Sequence, residues 1–316
     1  MGKLTVALLS GGISSEREVS INSGNQVYEA LDKDKYNVIR YDPKDDIPKL
    51  VSEAAKIDVA LIILHGPFGE DGTIQGLLDL LNIPYQGSGV LGSAAAMNKL
   101  VAKQLYRQAG LMVPEYSVLE KNQLDHSVDL VQWLGMPLVI KPLEGGSSVG
   151  MSIVRSEEDL KEALDKAFVY DRRVLVEAFI DGVEITGGVI GNDPLDALPL
   201  IEIIPGQDYE FFDYEAKYKA GATEEICPAR IDDELTARGQ ESAKKAHSAL
   251  SCKGYSRTDM IIHNNEIFVL ETNTIPGMTP TSLFPQAAAA FGYSFSAMLD
   301  RLIELGMEEM AGRVPE

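Results

Sequence analysis

The run Val59-Ala60-Leu61-Ile62-Ile63-Leu64 contains no polar residue and stops at His65-Gly66. A strand with one wet face alternates polar and apolar, so an unbroken run belongs to a strand covered on both sides. LTVALLSGG, Leu4 to Gly12, carries the same signature and turns on a Gly-Gly pair. SSEREVSINSGNQVYEAL lies between them with a helical pattern, and another helix follows the Gly-rich loop PFGEDG. Strands alternating with helices predict a parallel sheet whose ligands gather at its carboxyl edge. IPYQGSG reads as one more short strand and turn. Ser15 and Glu18 have capping-box spacing, which places Glu16 in the first helical turn, near that edge.

Further on, a helix is expected over about Ser93 to Ala109, then the strand PLVIKP (Pro137 to Pro142) and the loop LEGGSSVGM. A helix near Glu157 to Ala167 and the strand RVLVEAFI (Arg173 to Ile180) follow. After Gly182 the pattern turns β-rich, passes through FFDYEAKYKAGATEEICP, and gives a helix over roughly Asp232 to Leu250, a hairpin and a helical tail. A length of 316 residues suggests two or three domains. The net charge of −20 argues against nucleic-acid or anionic-membrane partners, which call for basic patches. Two cysteines, Cys227 and Cys252, and four histidines suit neither a zinc site nor a disulfide framework. No signal-peptide pattern or run of transmembrane length is found, so a cytoplasmic protein is expected.

EIFVLETNTIPGMTP, Glu266 to Pro280, is an apolar strand that ends in two oxygen donors. Glu271 and Asn273 are two apart and share a face. The preceding strand, YSRTDMIIH, is joined to it through Asn264, Asn265 and Glu266. If all three form the loop, Asp259 lies opposite Glu271 and Arg257 opposite Asn273. A two-residue Asn-Asn turn shifts the pairing by one and sends Asp259 to the other face. Asp, Glu and Asn oxygens suit Mg²⁺, which completes its shell with water and phosphate oxygens. Acidic residues at a strand end are more often merely solvated, so other motifs must carry the case.

VIKPLEGGSSVGM, Val139 to Met151, supplies one: Lys141 ends an apolar strand, and the glycines after it let backbone N–H groups approach phosphates. It is not a Walker loop, and a Gly-Ser stretch alone is often just a flexible loop. Glu177 interrupts an apolar strand where the β-rich region begins, and it can accept from an adenine amino group; Glu184 can hold ribose hydroxyls. An edge strand protected by charge is the plainer reading of both. Glu16 is explained by helix capping alone.

Together HGPFGEDG, KPLEGGSSVGM, YEAKY and RTDMIIHNNEIFVLETNTIPGMTPTSLFP, with SSEREVSINSG near the start, resemble the D-alanine–D-alanine ligases of the ATP-grasp superfamily. The resemblance runs nearly end to end. It implies an α/β fold, α+β in parts: a three-domain ATP-grasp architecture with an N-terminal, Rossmann-like parallel-sheet domain. The expected divisions are 1–94 for the N-terminal substrate domain, 95–182 for the central subdomain with the phosphate loop, and 183–316 for the C-terminal subdomain with the metal and catalytic residues.

By the same resemblance Asp259, Glu271 and Asn273 hold two Mg²⁺ ions, Mn²⁺ being able to substitute, and Glu271 touches both. Lys99 and Lys141 meet the α- and β-phosphates of ATP and Lys217 lies near the γ-phosphate, with Glu144, Ser147 and Ser148 in the phosphate loop. Glu177, the Ala178-Phe179-Ile180 backbone and Glu184 match adenine and ribose contacts. Glu16 binds the ammonium of the first D-alanine, with His65 close by and Ser147 and Tyr218 as its partners. Ser282 and the Leu283 backbone grip the second D-alanine's carboxylate, while Arg257 and the Gly277 N–H form the oxyanion site. The implied product is D-alanyl-D-alanine for peptidoglycan precursors, made through a D-alanyl phosphate by a homodimer. The EAKY form of the flexible loop resembles D-alanine-specific members rather than those that take D-lactate. Another ATP-grasp ligase is opposed by Glu16, His65 and Ser282. A dehydrogenase is opposed by SGGISSE, which lacks G-x-G-x-x-G spacing. A nucleotide sensor without catalysis would show ATP turnover indifferent to substrates.

Overall fold

In a computed structural model the described residues are 2–122, 127–146, 149–206 and 223–312. Strands β1 (Leu4–Ser10), β2 (Tyr36–Tyr41) and β3 (Val59–Ile63) form a parallel sheet in the order β2-β1-β3. Every residue of β3 is buried, and its alternation shows why. Val59, Leu61 and Ile63, with Val6 and Leu8, pack into a core that includes Leu299, Leu302 and Ile303 of the C-terminal helix Phe295–Ala311. Ala60, Ile62 and Leu64, with Ala7 and Leu9, pack instead on Ile74, Leu78 and Ile83. The last helix thus shares one face of the first sheet with the helix Arg17–Ala30, whose Val27 joins the same core. Sequence reading passes over β2, because YNVIRY is an edge strand buried only at Tyr36 and Tyr41. The strand expected at IPYQGSG is a single bridge between Ala60 and Tyr85.

A second, antiparallel sheet takes β4 (Tyr116–Glu120), β5 (Leu138–Pro142), β6 (Ser152–Val154) and β7 (Arg173–Ala178) in the order β4-β7-β5-β6. Leu138, Ile140, Val174 and Val176 bury one face against Leu160, Ala163, Leu164 and Ala167 of the Glu157–Ala167 helix. The opposite face carries Val139, Lys141 and Glu177, with Val139 directly across from Glu177.

The third sheet comprises β8 (Val183–Ile190), β9 (Asp196–Ala197), β10 (Ile201–Pro205), β11 (Thr223–Ile226), β12 (Tyr255–His263) and β13 (Glu266–Asn273). Its order is β11-β10-β8-β12-β13, with β9 on β8. The β12–β13 turn has two residues, Asn264 and Asn265, both at positive φ as a type I′ hairpin requires. His263 accordingly faces Glu266 rather than Ile267. Such a turn alone would put Asp259 on the wrong face. A bulge repairs the parity: Met260 pairs with Val269, Asp259 with Glu271, and Leu270 is the extra residue. The three-residue loop is therefore incorrect, but the Asp259–Glu271 and Arg257–Asn273 pairings expected from it are present.

Candidate active site

The inner faces of the second and third sheets enclose a slot. Val139, Lys141, Met151, Ile153 and Glu177 line one wall, and Asp259, Ile261, Leu270 and Glu271 the other. Ala178, Phe179, Ile180 and Glu184 close the connecting edge, and Lys99, Glu144, Gly145 and Gly146 the far end. An apolar cleft with charges at one end suits a flat base carrying an anionic tail. The bulge at Leu270 contributes directly, since it turns that side chain into the slot.

Lys99 reaches this position because the helix expected from Ser93 to Ala109 is broken. Val90–Met97 and Lys99–Gln108 are separate helices, and Asn98 between them is extended, with its side chain accepting from the Val101 N–H. That cap replaces a helical hydrogen bond and places Lys99 at the first position of the second helix. Its ammonium donates to the Gly145 carbonyl at 2.7 Å. Asn98 also donates to Glu144 at 2.9 Å, tying the helix start to the Gly-rich loop.

Glu177 is buried between two ammonium groups. Lys103 pairs with its Oε1 and Lys141 with its Oε2. Burial alone would raise the Glu177 carboxyl, but Lys103 and Lys141 outweigh it and hold the group below the ordinary range. Burial likewise works against the Lys141 ammonium, yet Glu177 and Glu271 carry it above the usual lysine value.

At the acidic end Asp259 is 4 % exposed and accepts four hydrogen bonds. Arg257 gives two of them, each 2.9 Å, Thr186 one at 2.6 Å and Asn273 one at 3.2 Å. Among the described residues no group of three or more His, Cys, Asp or Glu is placed to hold a metal. The donor set on offer is two carboxylates and an amide, all hard oxygen donors on one face of the hairpin. That fits Mg²⁺, which takes few protein ligands and keeps water and phosphate oxygens. The Asn273 amide N–H donates to Asp259, so its oxygen, across the Cβ–Cγ axis, points away from that carboxylate.

A second cavity adjoins this end. Glu16, His65, Glu70, Gly146, Glu225, Arg257, Asn273, Gly277, Ser282 and Leu283 are among its lining residues. Glu16 is the N-cap residue of the Arg17–Ala30 helix, not a member of its first turn, and the Ser15–Glu18 capping box does not form. Ser14 takes the local role: its hydroxyl accepts from the Glu16 N–H at 3.2 Å and donates to the His65 carbonyl at 2.7 Å. A Cβ on Gly66 would lie 2.8 Å from Glu16 Oε2 and one on Gly146 3.4 Å from it, so both loops close on this carboxylate. Across the cavity Ser282 stands at the N-cap position of the Leu283–Phe291 helix without a side-chain capping bond, and its hydroxyl is 2.8 Å from that of Thr279. A helix N-terminus offers backbone N–H groups to a carboxylate. A site with carboxylates at one side and a guanidinium and helix start at the other matches amino-acid zwitterions.

Glu70 and Glu225 were not picked out by sequence reading. The Glu70 carboxyl accepts from the Gly66 N–H at 2.7 Å, and burial, aided by the Glu16 charge, pushes it up to about 8. Burial also raises Glu225, against the Gln286 amide that bonds it. The native state therefore keeps the Glu70 proton between its ordinary 4.5 and about 8, whereas the unfolded chain releases it. Across that window the unfolded state binds fewer protons, so this group's effect on stability falls as pH rises. Glu70→Gln is expected to gain stability relative to the parent from pH 5 to pH 8, measured by denaturant unfolding at each pH. A constant difference across the window would contradict the assignment.

Of the expected site residues, Lys99, Lys141, Glu144, Glu177, Ala178, Phe179, Ile180, Glu184, Asp259 and Glu271 line the slot. Glu16, His65, Arg257, Asn273, Gly277, Ser282 and Leu283 line the second cavity. Ser147, Ser148, Lys217 and Tyr218 lie outside the described residues. Lys103, Glu70, Thr186, Glu225 and Gln286 were missed. The one signal for Lys103 was its spacing of four from Lys99, which puts both on one helix face.

A family model described as "D-ala D-ala ligase C-terminus" matches residues 105–304, and one described as "D-ala D-ala ligase N-terminus" matches residues 5–48 and 42–88. The chain is 64 % identical over 307 residues to the D-alanine–D-alanine ligase of Syntrophobacter fumaroxidans, covering 97 % of this chain and 99 % of that protein. The corresponding enzyme of Desulfotalea psychrophila is 52 % identical over 98 % of this chain and 97 % of its own length. Among solved structures, the Bacillus anthracis D-alanine–D-alanine ligase complexed with ATP superposes with a TM-score of 0.86 at 36 % identity, covering 98 % of this chain and 99 % of that one. The VanG D-Ala:D-Ser ligase of Enterococcus faecalis gives 0.84 at 34 %, covering 96 % and 99 %.

Proposed function

Because the chain belongs to the D-alanine–D-alanine ligase family, we propose that it joins two D-alanines to D-alanyl-D-alanine with ATP, releasing ADP and phosphate for peptidoglycan precursor synthesis. The observation that carries this reading is the meeting of the two cavities: Arg257 and Asn273 line the amino-acid cavity, while Asp259 and Glu271, their hairpin neighbours, line the slot.

The chemistry follows from charge. A carboxylate is a poor electrophile, and phosphorylation by ATP turns that of the first D-alanine into an acyl phosphate. Glu16 holds its ammonium, and Lys99, Lys141 and the Gly145-Gly146 backbone hold the phosphates, so positioning supplies much of the rate. Mg²⁺ bound at Asp259, Glu271 and Asn273 would neutralise the phosphoryl oxygens and align them for transfer. Ser282 and the Leu283 N–H fix the second D-alanine's carboxylate, leaving its amine to attack the acyl carbon. Arg257 and the Gly277 N–H stabilise the oxyanion that forms. Phosphate leaves, and the dipeptide remains. An acyl phosphate hydrolyses in water, so this chemistry requires water to be kept from the slot during transfer.

The division at residues 1–94, 95–182 and 183–316 belongs to the same reading; each of the three sheets is confined to one of these spans. A cytoplasmic location and a homodimer rest on the family resemblance, and no described helix is long and apolar enough to cross a membrane. Phosphate release from Mg-ATP with D-alanine, L-alanine, D-serine or D-lactate tests the proposal. Release is expected with D-alanine and at least roughly tenfold less with the others, since L-alanine misplaces a group the site bonds, D-lactate lacks one, and D-serine adds a hydroxyl that a methyl-sized space must accommodate. Equal release with all four, or none with D-alanine, removes the assignment.

A further inference from the structure

Lys103 is fully buried, and its ammonium makes an ion pair with Glu177 Oε1. The Tyr116 ring centroid lies 5.8 Å from the same ammonium, and the charges of Lys141 and Glu271 act on it as well. Lys99 and Lys103 are one turn apart on the helix Lys99–Gln108, the first at the slot's end and the second deeper. Lys141 and Glu177 are diagonal neighbours on the inner face of the second sheet, since Val139 pairs with Glu177. Glu177 is thus gripped from two sides, one oxygen per lysine.

The two lysines are not equivalent. Lys141 lines the slot, where a phosphate could draw it away from Glu177; Lys103 does not. A buried carboxylate that loses its only cation is strongly destabilised, whereas one that keeps a second cation is not. Charge is also arranged for a polyanion: two ammoniums and one carboxylate leave a surplus of one positive charge in a protected place. Burial pulls Lys103 below the ordinary lysine value with Glu177 opposing it, so the helix tolerates this cation only through that pairing.

Resting on the nucleotide reading above, we propose that Lys103 is a positioning residue: it pins Glu177 against the slot wall when Lys141 turns to the phosphates, so that the carboxylate keeps facing the amino group of the adenine. It touches neither nucleotide nor amino acid. A purely structural lysine would affect stability without touching the choice of base. The positioning role instead links it to discrimination between an amino group and the oxo group that guanine presents, which an ionised carboxylate repels.

The test measures ATP and GTP binding by calorimetry without D-alanine, alongside steady-state KM values and thermal melting. Lys103→Met is expected to weaken ATP roughly tenfold or more and to narrow the ATP-to-GTP ratio by a similar factor, as expected for a hydrogen bond to a charged group. The KM for D-alanine should move less than twofold. Lys103→Arg, which keeps the charge, should recover part of the ratio. Should Lys103→Met fold poorly, the double variant Lys103→Met/Glu177→Gln removes both charges, and its ratio should equal that of Glu177→Gln alone. An unchanged ATP-to-GTP ratio in folded Lys103→Met overturns the proposal, as does a further loss when it is added to Glu177→Gln. Calorimetry needs no turnover, so wild type that binds ATP but makes no dipeptide would sink the function while leaving this inference standing.

Discussion

Glu271→Gln should remain folded and lose phosphate release by roughly three orders of magnitude, about 4 kcal/mol of transition-state stabilisation. Glu271 lies directly across from Asp259 and faces the slot. Glutamine keeps the size and an oxygen but removes one of the two carboxylates at the slot's acidic end, and with it charge that the proposed Mg²⁺ would need there. The residue is only partly buried, so unfolding free energy should change by about 1 kcal/mol or less. Kinetics across a Mg²⁺ titration, read beside denaturant unfolding, separates the two effects. Near-normal turnover at moderate Mg²⁺ would contradict the metal role of this hairpin.

Arg257 should give the second large effect. Removing an oxyanion donor costs roughly 3–4 kcal/mol, or 10²–10³ in kcat. Here the guanidinium also makes two 2.9 Å bonds to buried Asp259, so Arg257→Met strands a carboxylate whose remaining bonds come from Thr186 and Asn273. Truncating one partner of such a pair is destabilising in its own right. Arg257→Lys isolates catalysis from stability: it keeps the charge but has no planar fork for the bidentate contact. We expect kcat to fall roughly 10²-fold in Arg257→Lys while ATP affinity holds within a few-fold. Loss of ATP binding with unchanged kcat would place Arg257 in the slot instead.

What was readable from sequence and what was not divides along physical lines. Buried strands such as Val59–Ile63 and Leu138–Pro142 announce themselves by unbroken apolar runs. The edge strand Tyr36–Tyr41 does not, because only its two end residues are buried and YNVIRY shows neither an unbroken apolar run nor a two-residue alternation. Asp259 and Glu271 were paired correctly for a reason that did not hold: the turn is one residue shorter than expected, and a bulge at Leu270 compensates. No local rule foretells a bulge in the middle of VLET, since its cause is tertiary. The Asn98 break is similar; Asn is a good cap, but SAAAMNKLVAKQ propagates a helix equally well on propensity alone. Lys103 had only its spacing from Lys99 to mark it and Glu70 nothing, because their meaning comes from burial beside partners far along the chain.

The shared packing of Leu299, Leu302 and Ile303 with Val59, Leu61 and Ile63 bears on how the chain is made. The ribosome emits the opening strands first, and on one side of them only the helix Arg17–Ala30 is at hand to cover part of the surface until the helix Phe295–Ala311 has emerged. At roughly 5–20 residues per second, that interval lasts about ten to fifty seconds. A nascent chain therefore carries a partly uncovered greasy surface throughout that interval.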